Sequence, residues 1–286
     1  MSANFRAELV GVLGQPVDEN PTGVMQEAAF AAAGLNWRYV TMEVAPPGLA
    51  DAMRGLRALG FRGINLTIPH KTAVLEHLDQ LSEQARIIGA VNTVRREGDR
   101  LVGENTDGQG FLRGLRQDAG VDPAGKRIVL LGAGGAARAI ATELLLAYAA
   151  EIVVVNRGLE RGEAMVRDLS AKTAGPIRFE PWGESYRPSS GADVLVNATS
   201  IGLFPDVDAS PPVDLSGLRS DALVADAVFN PPETRLLAKA RLRDLRVLDG
   251  LSMLVYQGTI GFQMWTGQDP DEAVMKRALA EALGVG

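Results

Sequence analysis

Apolar and polar positions follow two rhythms along this chain, and they alternate with each other. Short apolar runs of strand length occur at "ELVGVLG" (8–14), "WRYVTMEV" (37–44) and "GINLTIP" (63–69), the last ending at Pro69. Between them the apolar residues recur at helical spacing, as in Val24 to Gly34 and at Leu49, Met53, Leu56 and Leu59. The segment "AVNTVRREGDRLVGENTDG" (90–108) reads as a hairpin with Gly98 and Asp99 at its turn. Around "QDAGVDPAGK" (117–126) Gly and Pro mark a loop. A second series of strands begins at "RIVLL" and continues through "EIVVVN", "DVLVNAT" and "ALVADAVF". Helices are predicted at Glu160 to Ala171, Thr234 to Leu242, Leu251 to Trp265 and Pro270 to Leu283. Strands and helices that alternate in this way predict an α/β protein with largely parallel sheet. The change of texture places a domain boundary between Asp107 and Val121.

Composition narrows the possibilities. The chain has 286 residues, 46% of them hydrophobic, so it has material for one large domain or two ordinary ones with a substantial core. A formal charge of −6 disfavours nucleic acid and anionic membrane as partners. The absence of cysteine excludes disulfides, thiolate metal sites and cysteine nucleophiles. With only His70 and His77, no metal site is expected. No apolar run has the length of a membrane span, and the N-terminus lacks the layout of a signal peptide. The chain reads as a soluble cytoplasmic protein, monomer or homodimer, acting on a small molecule.

The motif "RIVLLGAGGAARAI" (127–140) sets a glycine turn between a strand and a helix. Gly132 permits the tight turn, Gly134 lets a pyrophosphate approach the backbone, and the small Ala137 allows close helix–strand packing. Ala133, Gly135 and Ala136 complete the turn that offers free N–H groups to phosphate. The next strand ends at Asn156, followed by Arg157 and Arg161, where an enzyme preferring NAD usually carries an acid. Two guanidiniums suit a 2′-phosphate, so NADP is expected, with NAD the less favoured cofactor. Asn197 and Thr199, at the end of another strand, either bond to the cofactor ribose or satisfy the chain itself.

Hydride chemistry needs a group that moves the accompanying proton. Three polar clusters end apolar strands: Asn65, Thr67 and Lys71; Asn92 and Thr93; Asn105, Thr106 and Asp107. Taken singly, each Asn-Thr pair reads as a turn or cap; together with a lysine and an aspartate they suggest a shared cleft. Gln257 adds an amide to an otherwise apolar helix, where it needs partners.

In order along the chain, "NLTIPHK", "GAVNT", "GENTDG", "GAGGAAR", "NATSIGL", "DAVFNPPET" and "DGLSMLVYQG" resemble the motifs of the shikimate dehydrogenase family, over nearly the whole length. The resemblance implies an N-terminal three-layer αβα substrate domain (1–107, completed by 244–286) and a doubly wound Rossmann NADP-binding domain (108–243). It implies reversible NADP-linked oxidation of shikimate to 3-dehydroshikimate, with Lys71 and Asp107 as the catalytic pair. Asn92 and Gln257 would then bind ring hydroxyls, Asn65 and Thr67 would line the pocket, and Gly250 would join the cofactor set. The chain departs from the family at "GQPVDENPTG" (14–23), where two serines that bind the substrate carboxylate are replaced by Asn20 and Thr22. Phe229 stands where the family often has tyrosine. Asn20 with Pro21, or Thr22, is expected to cap the helix, with at least one of them lining the pocket. Asp18 and Glu19 add charge that opposes an anionic ligand unless they point to water. The alternatives are quinate, aminoshikimate or another cyclic polyol as substrate, another two-domain NADP enzyme, or a non-catalytic NADP-binding sensor.

Overall fold

The computed structural model describes residues 5–285. Its chain divides into two compact units: one runs through Thr106 and resumes at Gln257, and the other is Asp107–Tyr256. The first contains β1 (Glu8–Gly14), α1 (Thr22–Ala32), β2 (Trp37–Glu43), α2 (Leu49–Leu59), β3 (Gly63–Leu66), the short α3 (His70–Ala73), β4 (Gln80–Leu81), α4 (Glu83–Ile88), β5 (Thr93–Glu97) and β6 (Arg100–Glu104). The second contains α5 (Asp107–Gln117), β7 (Arg127–Leu131), α6 (Gly135–Leu146), β8 (Glu151–Asn156), α7 (Leu159–Thr173), β9 (Ile177–Pro181), β10 (Val194–Asn197), β11 (Leu223–Asp226), α8 (Arg235–Arg241) and β12 (Arg246–Leu248). Helix α9 (Gly250–Thr266) begins in the second unit and ends in the first, which α10 (Glu272–Ala282) completes.

The first unit is built on a mixed sheet of order β2-β1-β3-β5-β6-β4. Period-two alternation sends successive side chains of each strand to opposite faces of the sheet. Leu13, Ile64, Leu66, Val94 and Leu101 pack with Leu49, Met53 and Leu56 of α2. Leu59, which continues that apolar stripe in the sequence, is largely exposed at the end of the helix. On the opposite face Phe30 of α1 stacks on Phe262 of α9 with ring centroids 5.2 Å apart. There the indole of Trp265 lies over Gly63 and donates to the carbonyl of Val94 at 3.0 Å. Helices on both faces make the three-layer αβα arrangement that the motifs implied.

The second unit is a fully parallel sheet of order β12-β11-β10-β7-β8-β9. Counted from β7, the order is 3-2-1-4-5-6 read from β9, the doubly wound dinucleotide-binding topology with its switch point between β7 and β10. Near-continuous apolar strands such as Ile128–Leu131 and Ile152–Val155 are what burial on both faces requires.

Some features differ from the sequence reading. Helix α5 is absent from the predicted elements; glycines at 108, 110 and 114 dilute its apolar period, yet Gly108 permits close packing, since a Cβ there would lie 2.2 Å from the carbonyl oxygen of Ala139 in α6. The second unit also extends beyond residue 243, because β12 pairs with β11 and the start of α9 is tied to α5. Ser252 and Tyr256 both donate to the carboxylate of Asp118, at 2.7 and 2.8 Å. Among the described residues no helix is long and apolar enough to cross a membrane.

Candidate active site

The polar residues that end β3, β5 and β6 converge because of strand register. Asn65 pairs with Thr93, and Thr93 with Glu104, so their side chains point to the face covered by α1 and α9. Tyr39 of β2 donates its hydroxyl to Asn65 Oδ1 at 2.7 Å. Burial pushes the Tyr39 phenol well above its ordinary pKa, so it remains a donor. Asn65 Nδ2 donates to the Asn92 carbonyl at 3.1 Å and to Thr93 Oγ1 at 2.9 Å. Asn92 Nδ2 donates to Thr106 Oγ1 at 2.9 Å, and Asn92 Oδ1 accepts from the Thr106 N–H at 2.7 Å. Gln257 Oε1 lies 3.5 Å from the Thr106 hydroxyl. Asn105 Nδ2 donates to the Ala90 carbonyl at 3.1 Å. One buried amide–hydroxyl network therefore joins Asn65, Asn92 and Gln257. Tyr39 escaped the sequence reading; its signal was its place on the inward phase of β2.

Lys71 is delivered to the same region by its backbone. Its carbonyl accepts from Val91 N–H at 2.8 Å, which sets it beside Asn92. Next to it, the buried ring of His70 bonds through Nε2 to the Val44 carbonyl at 2.7 Å. The Lys71 side chain is half-buried. Thr67 is held by its N–H to the Leu13 carbonyl at 2.9 Å, and its methyl occupies the space where a Cβ at residue 14 would lie, which Gly14 leaves open. Asp107 is the first residue of α5, directly after Thr106.

The opening stretch differs from the expected cap. Pro21 is the N-cap residue of α1 and no side chain caps the helix; instead Asn20 Oδ1 accepts from the N–H of Thr22 at 3.0 Å. Thr22 is buried, and it shares a helix face with Gln26 four residues on. Gln26 donates to the Gly258 carbonyl at 2.8 Å, beside Gln257, so this face of α1 looks toward α9. Asp18 and Glu19 are exposed.

In the second unit, Gly132 adopts φ +108° directly after β7, and a Cβ there would press on the Ala198 carbonyl oxygen at 3.0 Å and the Thr199 methyl at 3.1 Å. Gly134 is the N-cap residue of α6. A Cβ at Gly134 would meet only Arg161 Nη2, at 3.9 Å, and one at Gly135 no described atom within 4 Å. Ala133 and Ala136 are partly exposed beside them, and Ala137 is buried against the sheet. This open glycine turn at a helix N-terminus has the space and the N–H groups for a diphosphate. Arg161 reaches over the turn, and Arg157 stacks its guanidinium on Trp182, 5.5 Å from the ring centroid. Asn156 donates to the Gly158 carbonyl at 2.8 Å.

Asn197 is wholly buried and serves the chain. Its Nδ2 donates to Asp226 Oδ1 at 2.9 Å, and its Oδ1 accepts from the N–H and hydroxyl of Thr199 at 3.1 and 2.7 Å. The Thr199 hydroxyl in turn accepts from Ile201 N–H at 3.1 Å. Gly250 lets α9 start against the loop after β11, since a Cβ there would lie 2.2 Å from the Val228 carbonyl oxygen. Phe229, half-buried, belongs to that loop.

Fold and residues together define a two-unit α/β protein, with a buried amide network in the first unit and a doubly wound dinucleotide-binding sheet in the second. Family models match three segments of the chain: the shikimate dehydrogenase substrate binding domain over residues 12–94, shikimate/quinate 5-dehydrogenase over 115–202, and the shikimate 5′-dehydrogenase C-terminal domain over 250–280. The chain is 47% identical to the shikimate dehydrogenase (NADP(+)) of Moorella thermoacetica across 96% of its length and 94% of that protein's. It is similar to the ligand-free 5-ketofructose reductase of Gluconobacter sp. strain CHM43, with 46% identity, TM-score 0.93, and 97% and 99% of the two chains covered. The shikimate 5-dehydrogenase of Thermus thermophilus, solved with NADP(H) and shikimate, shares 36% identity at TM-score 0.83, covering 96% and 99%. This chain belongs to the shikimate dehydrogenase family.

Proposed function

We propose that the protein is an NADP-linked oxidoreductase interconverting a ring hydroxyl and its ketone, with shikimate, which its relatives' names print, and the corresponding ketone 3-dehydroshikimate as the pair. The observation that supports this best is the buried network ending in Asn92, Thr106 and Gln257, set beside Lys71 in the first unit. In the second unit, the glycine turn from Gly132 to Ala136 would hold the diphosphate, and Arg157 and Arg161 the 2′-phosphate. When bound, the nicotinamide supplies the hydride exchange. The chain supplies the proton and the orientation. Lys71 takes the hydroxyl proton during oxidation and returns it during reduction, with Asp107 as its companion carboxylate. Asn92 and Gln257 hold ring hydroxyls. Thr67 lines the same region, and Asn65, whose amide is committed to Tyr39, Asn92 and Thr93, fixes Asn92 in place.

A second reading of the substrate has its own support. Asn20 and Thr22 replace the paired serines, Phe229 replaces a tyrosine, and the chain is 46% identical to a reductase of a neutral ketose. Loss of one hydrogen bond to a charged group costs about 1.5–3 kcal/mol, enough to shift preference tenfold or more. NADPH-dependent reduction of 3-dehydroshikimate and of 5-ketofructose, followed by absorbance, separates the two. A higher kcat/KM for 3-dehydroshikimate supports the first reading. A higher value for 5-ketofructose moves the substrate to the neutral ketoses and keeps the chemistry. Turnover of neither, together with none of shikimate, quinate or aminoshikimate under NADP, ends the proposal.

A further inference from the structure

The carboxyl edge of the parallel sheet carries a charged residue that the function above does not use. Asp226 ends β11, directly in register with Asn197 of β10, which is itself in register with Leu131, the residue before Gly132. Its side chain is 1% exposed. Oδ1 accepts from Asn197 Nδ2 at 2.9 Å and from Val228 N–H at 3.0 Å, and Oδ2 accepts from the Thr234 hydroxyl at 2.7 Å. Thr234 caps α8 by accepting from Leu237 N–H at 3.3 Å.

Each of those partners leads to the nucleotide-facing edge. Asn197, held by the carboxylate, organises Thr199 and accepts both of its donors. The turn that follows packs on the glycine turn, since a Cβ at Gly132 would meet Ala198 and Thr199 at 3.0 and 3.1 Å. The same turn reaches Thr234 through Gly202, where a Cβ would lie 3.9 Å from Thr234 Cβ. Val228, the second donor's residue, carries the carbonyl against which Gly250 packs.

We infer that Asp226 is a positioning residue for dinucleotide binding, holding through Asn197 the turn that shapes the Gly132 crevice and through Val228 and Thr234 the loop beside it. The inference rests on the reading that the second unit binds NADP. Ligands of such sheets bind at the carboxyl ends of the strands flanking the switch point, which is where these turns lie. Burial raises the Asp226 carboxyl to about 6, so it is ionised at pH 7.5 and accepts from all three donors at once. A neutral apolar residue here would strand those donors.

NADPH binding, titrated by nucleotide fluorescence, tests the inference, with thermal unfolding and saturating kinetics measured alongside. Asp226→Ala and Asn197→Ala are each expected to weaken NADPH binding about tenfold, with kcat at saturating NADP within about threefold of wild type. The double variant should bind no worse than the weaker single, because the two residues act as one unit. Asp226→Asn should recover binding to within about threefold, since its amide oxygen still accepts from Asn197 and Val228 while its NH2 donates to the Thr234 hydroxyl. Folded Asp226→Ala with wild-type NADPH affinity overturns the inference, and so does additivity in the double variant. If Asp226→Ala does not fold, Asn197→Ala and Thr234→Val replace it, and unchanged binding in both overturns the inference equally. Wild-type protein that binds neither NADPH nor NADP removes the cofactor reading itself, a result distinct from wild-type binding that the variants leave untouched.

Discussion

Single side chains divide here between chemistry and cost. Lys71 sits beside Asn92 through its own backbone, so truncation should leave the network intact. Lys71→Ala is expected to lower kcat about 10²- to 10⁴-fold while NADPH affinity stays within twofold of wild type, roughly the size of a lost proton-transfer group; a fully active variant would remove lysine from its role. Glu143 of α6 is the opposite kind of residue. It is buried, and its Oε1 has no hydrogen-bond partner among the described residues. Burial raises its carboxyl from 4.5 to about 7. The folded state therefore holds this proton more tightly than the unfolded chain does. Its contribution is fully present below pH 4.5 and is lost as pH rises through about 7. The shift corresponds to about 3 kcal/mol. Glu143→Gln should flatten that part of the profile and exceed wild type by about 2 kcal/mol in urea unfolding at pH 8, with no such gain at pH 4.5.

Elements are held by close approaches that a hydrophobic pattern does not record. In β3, a Cβ at Gly63 would lie 2.1 Å from the Trp265 indole nitrogen and 2.3 Å from the Val94 carbonyl oxygen, the two atoms that bond each other. Backbone cannot move aside as a flexible side chain can. Gly63→Ala is thus expected to destabilise the first unit by about 3 kcal/mol or more, measured by urea unfolding. Gly258 offers a control of similar geometry and softer consequence, because its Cβ would meet the Met25 terminal methyl at 2.3 Å and the sulfur at 3.3 Å. Methionine repacks readily, so Gly258→Ala should cost about 1 kcal/mol.

For the molecule as a whole, two units of different construction answer a nucleotide differently. The parallel sheet of the second unit carries the glycine turn and the Asp226 network. NADP at about 100 times its Kd should stabilise the form that binds it by about 2.7 kcal/mol. Hydrogen exchange followed by mass spectrometry should show slowed exchange in peptides covering β7, β10 and the loop after β11, with β1 and β2 of the mixed sheet changing least. Equal slowing across both sheets would contradict that assignment.

Much of this was legible from the sequence. Glycine turns, strand-to-helix alternation, the Asn-Thr strand ends and the arginines after β8 are local patterns, and local patterns are set by backbone sterics and by periodic burial. Helix α5 was hidden because its glycines serve packing, Gly108 against α6 and Gly114 against Ser252 of α9, contacts made across the chain rather than along it. The capping role expected of Asn20 or Thr22 gave way to an Asn20 bond to the Thr22 N–H, since Pro21 takes the cap position. Linear order thus determined most of the order of elements, the glycine turn between β7 and α6 and the candidate chemistry. Tertiary structure alone decided that Tyr39 supports Asn65, that Asn197 is spent on Asp226 and Thr199, and that Glu143 Oε1 is left without a partner among the described residues. Which donor meets which acceptor depends on strand register and on burial between distant segments, and neither can be read until the chain has closed on itself.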